Sequence, residues 1–118
     1  MRRLPFIALA AALCLTGACT LTVPAPLTTG LQLKHDSSAV LTDRLQRRFP
    51  VGTPDEEVLR VLRSQGFKEE ADYGGEHRAH RNLGTVLVCA WGASAYWRVD
   101  DQDRLVSIRG VHQEEGCL

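Results

Sequence analysis

Apolar residues follow three different rhythms along this chain, and each predicts a different element. The first is a solid block. Residues 6–15, "FIALAAALCL", are apolar throughout, follow Arg2 and Arg3, and lead to the small Gly17 and Ala18. A basic start, a short apolar run and small residues after it are the pattern of an export signal.

The second rhythm is helical. Leu41, Leu45 and Phe49 stand at i, i+4 and i+8, which puts them on one face of a helix. Asp36, Ser37 and Ser38 are candidate N-caps, the helix runs to about Arg48, and Pro50 stops it. Residues 51–67, "VGTPDEEVLRVLRSQGF", predict a second helix. Thr53 is the expected N-cap, Pro54 the first helical residue, and Glu56 the partner in a capping box. Asp55, Glu56 and Glu57 suit the positive end of the helix dipole, and Arg60 and Arg63 its negative end. Val58, Leu59 and Leu62 form the buried stripe, Val61 widens it, and Gly66 is the expected residue just past the end.

The third rhythm is that of strands. Residues 85–91, "TVLVCAW", are almost wholly apolar and read as a central strand. Residues 92–94 read as a turn or bulge, and residues 95–99, "AYWRV", as an alternating strand. The polar "DDQD" at 100–103 closes a hairpin onto residues 104–111. A straight register sets Trp97 opposite Val106 and Ala95 opposite Ile108, with Arg98 and Ser107 on the other face. Residues 31–34 alternate weakly, and residues 68–82 are polar and glycine-broken, as an exposed loop would be. The expected fold is α+β, with two helices packed on a small three-stranded antiparallel sheet in two layers.

Residues 20–30, "TLTVPAPLTTG", carry prolines, threonines and no charge. They read as a tether rather than a packed element, with a reach of roughly 35 Å. The expected organisation is a lipoprotein signal peptide at 1–18, a tether at 19–34 and a domain at 35–118.

Four cysteines sharpen this reading. "LTGAC", residues 15–19, is similar to the lipobox of bacterial lipoproteins, in which cleavage precedes the cysteine and its thiol is lipidated. Cleavage by ordinary signal peptidase after Ala18 and an uncleaved transmembrane anchor are the competing readings. Lipidation of Cys19 leads, because it accounts for the parity of the thiols. Cys14 leaves with the signal, Cys19 takes the lipid, and Cys89 and Cys117 remain as a pair in an oxidising compartment.

Charge excludes one class of partner. The chain has 14 basic and 14 acidic residues; loss of residues 1–18 removes Arg2 and Arg3 and leaves a net charge of −2. Nucleic acid is therefore not an expected partner. Asp43, Arg44, Arg47 and Arg48 read as a solvated helix face, with a lipid-headgroup contact by the arginines as the functional alternative.

The order of elements, together with "GTPDEEVLRVL" at 52–62, resembles the SmpA/OmlA outer-membrane lipoproteins, BamE among them. Gly52, Val58 and Leu62 match that family's helix pattern, and "WRVDDQDRLVSI" looks like its strand–turn–strand. The likeness spans about residues 49–109. After the helix the family has glycine, one residue, then proline, where this chain has Gly66, Phe67 and Lys68. The resemblance implies a small sheet packed on helices and a place on the periplasmic side of the outer membrane. No partner-contact residue is carried over from it.

Chemistry has few footholds. Glu76, His77 and His80, "EHRAH", could offer metal ligands from one helix face, but the segment lacks a third and fourth ligand nearby. Ser94 and Ser107 have no local base, and no phosphate-cradling glycine loop is present. The expectation is a non-enzyme with no cofactor, no metal and no small-molecule substrate. Its expected partners are the membrane, through the lipid anchor, and an envelope protein. The function expected is a non-catalytic interaction or assembly module. The alternative is a disulfide-stapled exported binder or inhibitor that inserts its glycine-rich loop into a target's cleft.

Overall fold

The computed structural model describes residues 26–31 and 35–118. Cys19 and the export signal lie outside the described residues. Two helices, α1 (Ser38–Arg48) and α2 (Asp55–Ser64), precede four strands: β1 (Lys68–Tyr73), β2 (Glu76–Val86), β3 (Cys89–Val99) and β4 (Leu105–Cys117). The strands pair antiparallel in the order β1-β2-β3-β4. The α+β class holds, and the expected three-stranded sheet is corrected to four strands.

The extra strand comes from residues 68–82, expected as a loop. Gly74 and Gly75 both take positive φ, 59° and 78°, between the paired Tyr73 and Glu76. That is the two-residue hairpin turn whose twist matches its strands and whose left-handed backbone suits glycine. Residues 85–91 are corrected as well. They hold the next turn, with Leu87 at φ 57° and 89 % exposed, instead of forming one central strand. Residues 92–94 lie inside β3, not in a turn.

The β3–β4 register differs from the straight one. Trp97 faces Ile108 and Ala95 faces Gly110, while Arg98 faces Ser107 as expected. The ladder shifts between Arg98 and Val99, where Val106 is the extra residue of a bulge. The bulge re-phases the strand. Leu105 and Ile108, three apart, both become buried, and Val106 is left 50 % exposed.

Both helices cover the same sheet face. Ala79, Ala93 and Ala95 are buried there and give a low floor on which the helices can sit close, and Trp97 fills the space beside them. Trp97 Nε1 donates to Asp55 Oδ1 of α2 at 2.7 Å, so the one polar atom of this buried ring is satisfied.

α2 begins one residue later than the capping box requires. Thr53 accepts from Leu105 N–H at 2.8 Å, Gly52 N–H donates to Leu105 O at 2.8 Å, and Asp55 N–H donates to Asp103 O at 2.9 Å. The backbone ahead of the helix therefore extends along the start of β4, and the Thr53 hydroxyl donates to Pro50 O instead of capping. The other end follows expectation. Gly66 has φ 86°, Phe67 N–H reaches Leu62 O at 3.0 Å, and Gly66 N–H reaches Arg63 O at 3.0 Å. This is a Schellman ending, with the buried Phe67 and Leu62 as its apolar contact.

Residues 26–31, expected as part of a tether, pack in part against the domain. Leu27 and Leu31 are buried. Leu27 N–H donates to Gln65 Oε1 at 2.6 Å, and Arg44 donates to the carbonyls of Leu27 and Thr29. Arg81 donates to the Thr28 hydroxyl at 2.9 Å.

The edge of β4 is closed by a helix. Ser38, Thr42 and Gln46 stand four apart on α1, and each bonds a residue of β4: His112, Gly110 and Ile108. Four helical residues rise about 6 Å, and two strand residues about 6.7 Å, so the polar stripe stays in step with the unpaired edge. Leu41 touches the same strand so closely that a Cβ at Gly110 would overlap it. An open edge invites pairing with other chains, and here side chains occupy it. Thr42→Val should strip both partners from Gly110 and cost about 1–3 kcal/mol, read as a lower urea midpoint with unchanged slope.

Candidate functional site

The sheet face opposite the helices carries a row of polar side chains tied to one another across all four strands. Cross-strand pairing sets Glu70 beside Arg78, Arg78 beside Tyr96, and Tyr96 beside Arg109, one residue from each strand. Arg78 ion-pairs with Glu70 and also meets the Tyr96 hydroxyl. On the other side the Arg109 guanidinium lies 4.3 Å over the Tyr96 ring. Arg109 bonds both oxygens of Glu76, at 2.8 and 3.1 Å. That grip holds the Glu76 carboxyl below its ordinary range, with burial pulling the other way. The result is a Tyr96 platform flanked by two arginines, each fixed by its own glutamate.

One row further along the sheet, His80 Nε2 meets the Glu115 carboxylate, and Nδ1 lies 3.9 Å from Glu70. Gly92 forms the floor beneath them, since a Cβ there would overlap Glu115 and lie 2.6 Å from His80 Nε2. Ser94 pairs across the ladder with His80. Both nitrogens of that ring face carboxylates, which leaves neither free to act as a base for the serine.

The two histidines weighed above as metal ligands are separated. His77 and His80 lie three apart on β2, a strand and not a helix, so they point to opposite faces of the sheet. His77 lies beside Trp97 on the helix side and pairs with Asp72 at 2.9 Å. Among the described residues the one cluster with ligand spacing is Cys89, Glu114 and Cys117, and its two sulfurs are bonded to each other. Cys89 and Cys117 stand directly opposite on β3 and β4 with Cα atoms 4.0 Å apart. The expected disulfide is present, and β4 runs as far as Cys117 to make it.

His112 is fully buried between α1 and the sheet, stacked on Trp91 at 5.1 Å. Its Nδ1 accepts the Ser37 N–H at 3.0 Å, which requires an unprotonated nitrogen, and Nε2 has no hydrogen-bond partner among the described residues. Burial holds its pKa below the ordinary 6.5, with the Asp36 charge opposing. His77 is shifted the other way, raised mainly by its hydrogen bond to Asp72 and weakly by Asp55 and Glu69, against desolvation. By linkage, the His112 contribution is present above pH 6.5 and lost as pH falls; the His77 contribution is present below pH 6.5 and lost as pH rises through its raised pKa. The two act in opposite directions. His77→Gln should therefore lose more melting temperature between pH 8 and pH 5 than the wild type; calorimetry at the two pH values checks this.

The chain matches no protein-family model, no curated protein and no solved structure. Among the described residues no helix is long and apolar enough to cross a membrane.

Proposed function

We propose that the chain is a lipid-anchored envelope protein, held by Cys19 at the periplasmic face of the outer membrane, and that it acts as a non-catalytic interaction module. The observation that carries the contact surface is the row Glu70–Arg78–Tyr96–Arg109 on the sheet face left uncovered by helices. Arginine and tyrosine dominate binding hot spots, and side chains already fixed lose little freedom on association. The export pattern and the thiol parity support the address, and the SmpA/OmlA resemblance agrees with it. The inhibitor reading loses its motivating feature, because residues 68–82 form a hairpin of the sheet and not a free loop.

A photo-crosslinking residue at Ser107, on the open face, should give a discrete adduct with an envelope protein in intact cells. The same residue at Arg60, on exposed α2, should give none. Arg109→Ala should weaken the Ser107 adduct about tenfold or more. Equal adducts from both positions, or none from Ser107, would contradict the assignment.

A further inference from the structure

We infer that the depression at the C-terminal end of α1 seats the phosphate of an anionic glycerophospholipid headgroup. The depression has a volume of about 360 Å³ and is lined by Pro26, Leu27, Arg44, Arg47 and Arg48. Its charges are unbalanced. Arg44 is held by two carbonyls, Leu27 O at 3.0 Å and Thr29 O at 2.6 Å, which fix the guanidinium without cancelling its charge. Arg48 lies 5.3 Å over the Phe49 ring. Arg47 pairs with Asp43 at 3.0 Å, and its side chain is 81 % exposed. Three guanidiniums thus face one carboxylate. The negative end of α1 adds only about half a charge against an anion, so the pocket stays cationic.

Its position selects the source of the phosphate. Packing of Leu27 ends the tether at Pro26, seven residues after Cys19. Seven residues span at most about 25 Å, and Pro26 itself lines the pocket. A diacylglyceryl group on Cys19 therefore keeps Pro26, at the rim of the arginine pocket, within that distance of the bilayer. Pro26 and Leu27 supply an apolar floor beside them, which suits the glycerol backbone of a lipid better than a free inorganic anion. The nearness of the membrane rests on the lipid-anchor reading; the chemistry of the pocket does not.

Native mass spectrometry of the detergent-purified mature chain, titrated with phosphatidylglycerol or phosphatidylcholine, reads both matters separately. The chain mass reports the anchor, and the adduct reports the headgroup. Phosphatidylglycerol should add and phosphatidylcholine should not. Arg47→Gln with Arg48→Gln should reduce the adduct roughly 25-fold, at about a fivefold loss per arginine. Arg60→Gln with Arg63→Gln on α2 should leave it unchanged. Arg44 is kept, because it also holds residues 27–29. Equal adducts with both lipids, or no effect of the Arg47 and Arg48 changes, would overturn the headgroup site whatever the anchor mass. Adduct formation by glycerol 3-phosphate at the same concentration would make it a soluble-phosphate site and overturn the lipid assignment.

Discussion

Replacing Trp97 with alanine should destabilise the protein by about 3–5 kcal/mol, the usual range for emptying a large aromatic from a core. Trp97 is fully buried near the C-terminal end of β3 and belongs to the same core cluster as residues from both helices and all four strands but β1. The floor around it is built of alanines, which cannot extend to fill the space. A domain of this size has roughly 5–15 kcal/mol in hand, so the variant should sit at or near the edge of folding. Trp97→Phe separates the two causes. It keeps most of the ring and loses the bond to Asp55 Oδ1, and should cost about 1–2 kcal/mol. Urea unfolding of both variants checks the division; equal losses would mean that the hydrogen bond outweighs the packing.

Removing the Cys89–Cys117 bridge should cost about 2–4 kcal/mol, the typical range for a native disulfide closing a loop of this length. Its place in the fold argues for an effect. The α1 clamp protects β4 only from Ile108 to His112, through Gln46, Thr42 and Ser38. Beyond that point β4 is held by its pairing with β3, by the Glu115–His80 contact and by the disulfide. Glu115 is also the extra residue of a second bulge, where the ladder shifts between Ala90 and Trp91. Cys89→Ser with Cys117→Ser should lower the melting temperature by roughly 10–25 °C and speed amide exchange first at residues 113–117. A melting temperature unchanged by the double substitution would contradict this role.

The parts of the fold legible in the chain are those whose signals are local. α2 announces itself by the spacing of Val58, Leu59 and Leu62 and by Gly66, and its ending follows that grammar to Phe67. Its start does not, because Thr53 is claimed by Leu105, some fifty residues away. The β1–β2 hairpin is missed because β1 is an edge strand whose face is solvated. Its residues are polar on both sides, and in β2 Ala79 is the one fully buried side chain. The Gly74–Gly75 pair is the sign that could have found it. Leu87 and Val88 make a turn without any turn residue, so an apolar run there reads as strand. The bulge at Val106 is equally silent, yet the burial of both Leu105 and Ile108 depends on it. The open-face row was out of reach for the same reason. Glu70, Arg78, Tyr96 and Arg109 come from four strands, and only the register brings them together. A stripe that could have been read is Ser38, Thr42 and Gln46, which runs beside Leu41, Leu45 and Phe49 with the same spacing.

The proposed function depends first on Cys19 as a lipid anchor and on the paired state of the two remaining cysteines. The intact mass of the mature protein, with and without reductant and alkylating agent, tests both together. The predicted result is a chain that begins at a diacylglyceryl-bearing Cys19 and gains two alkyl groups only after reduction. A chain that retains residues 1–18, or one that takes up alkyl groups without reductant, would contradict it.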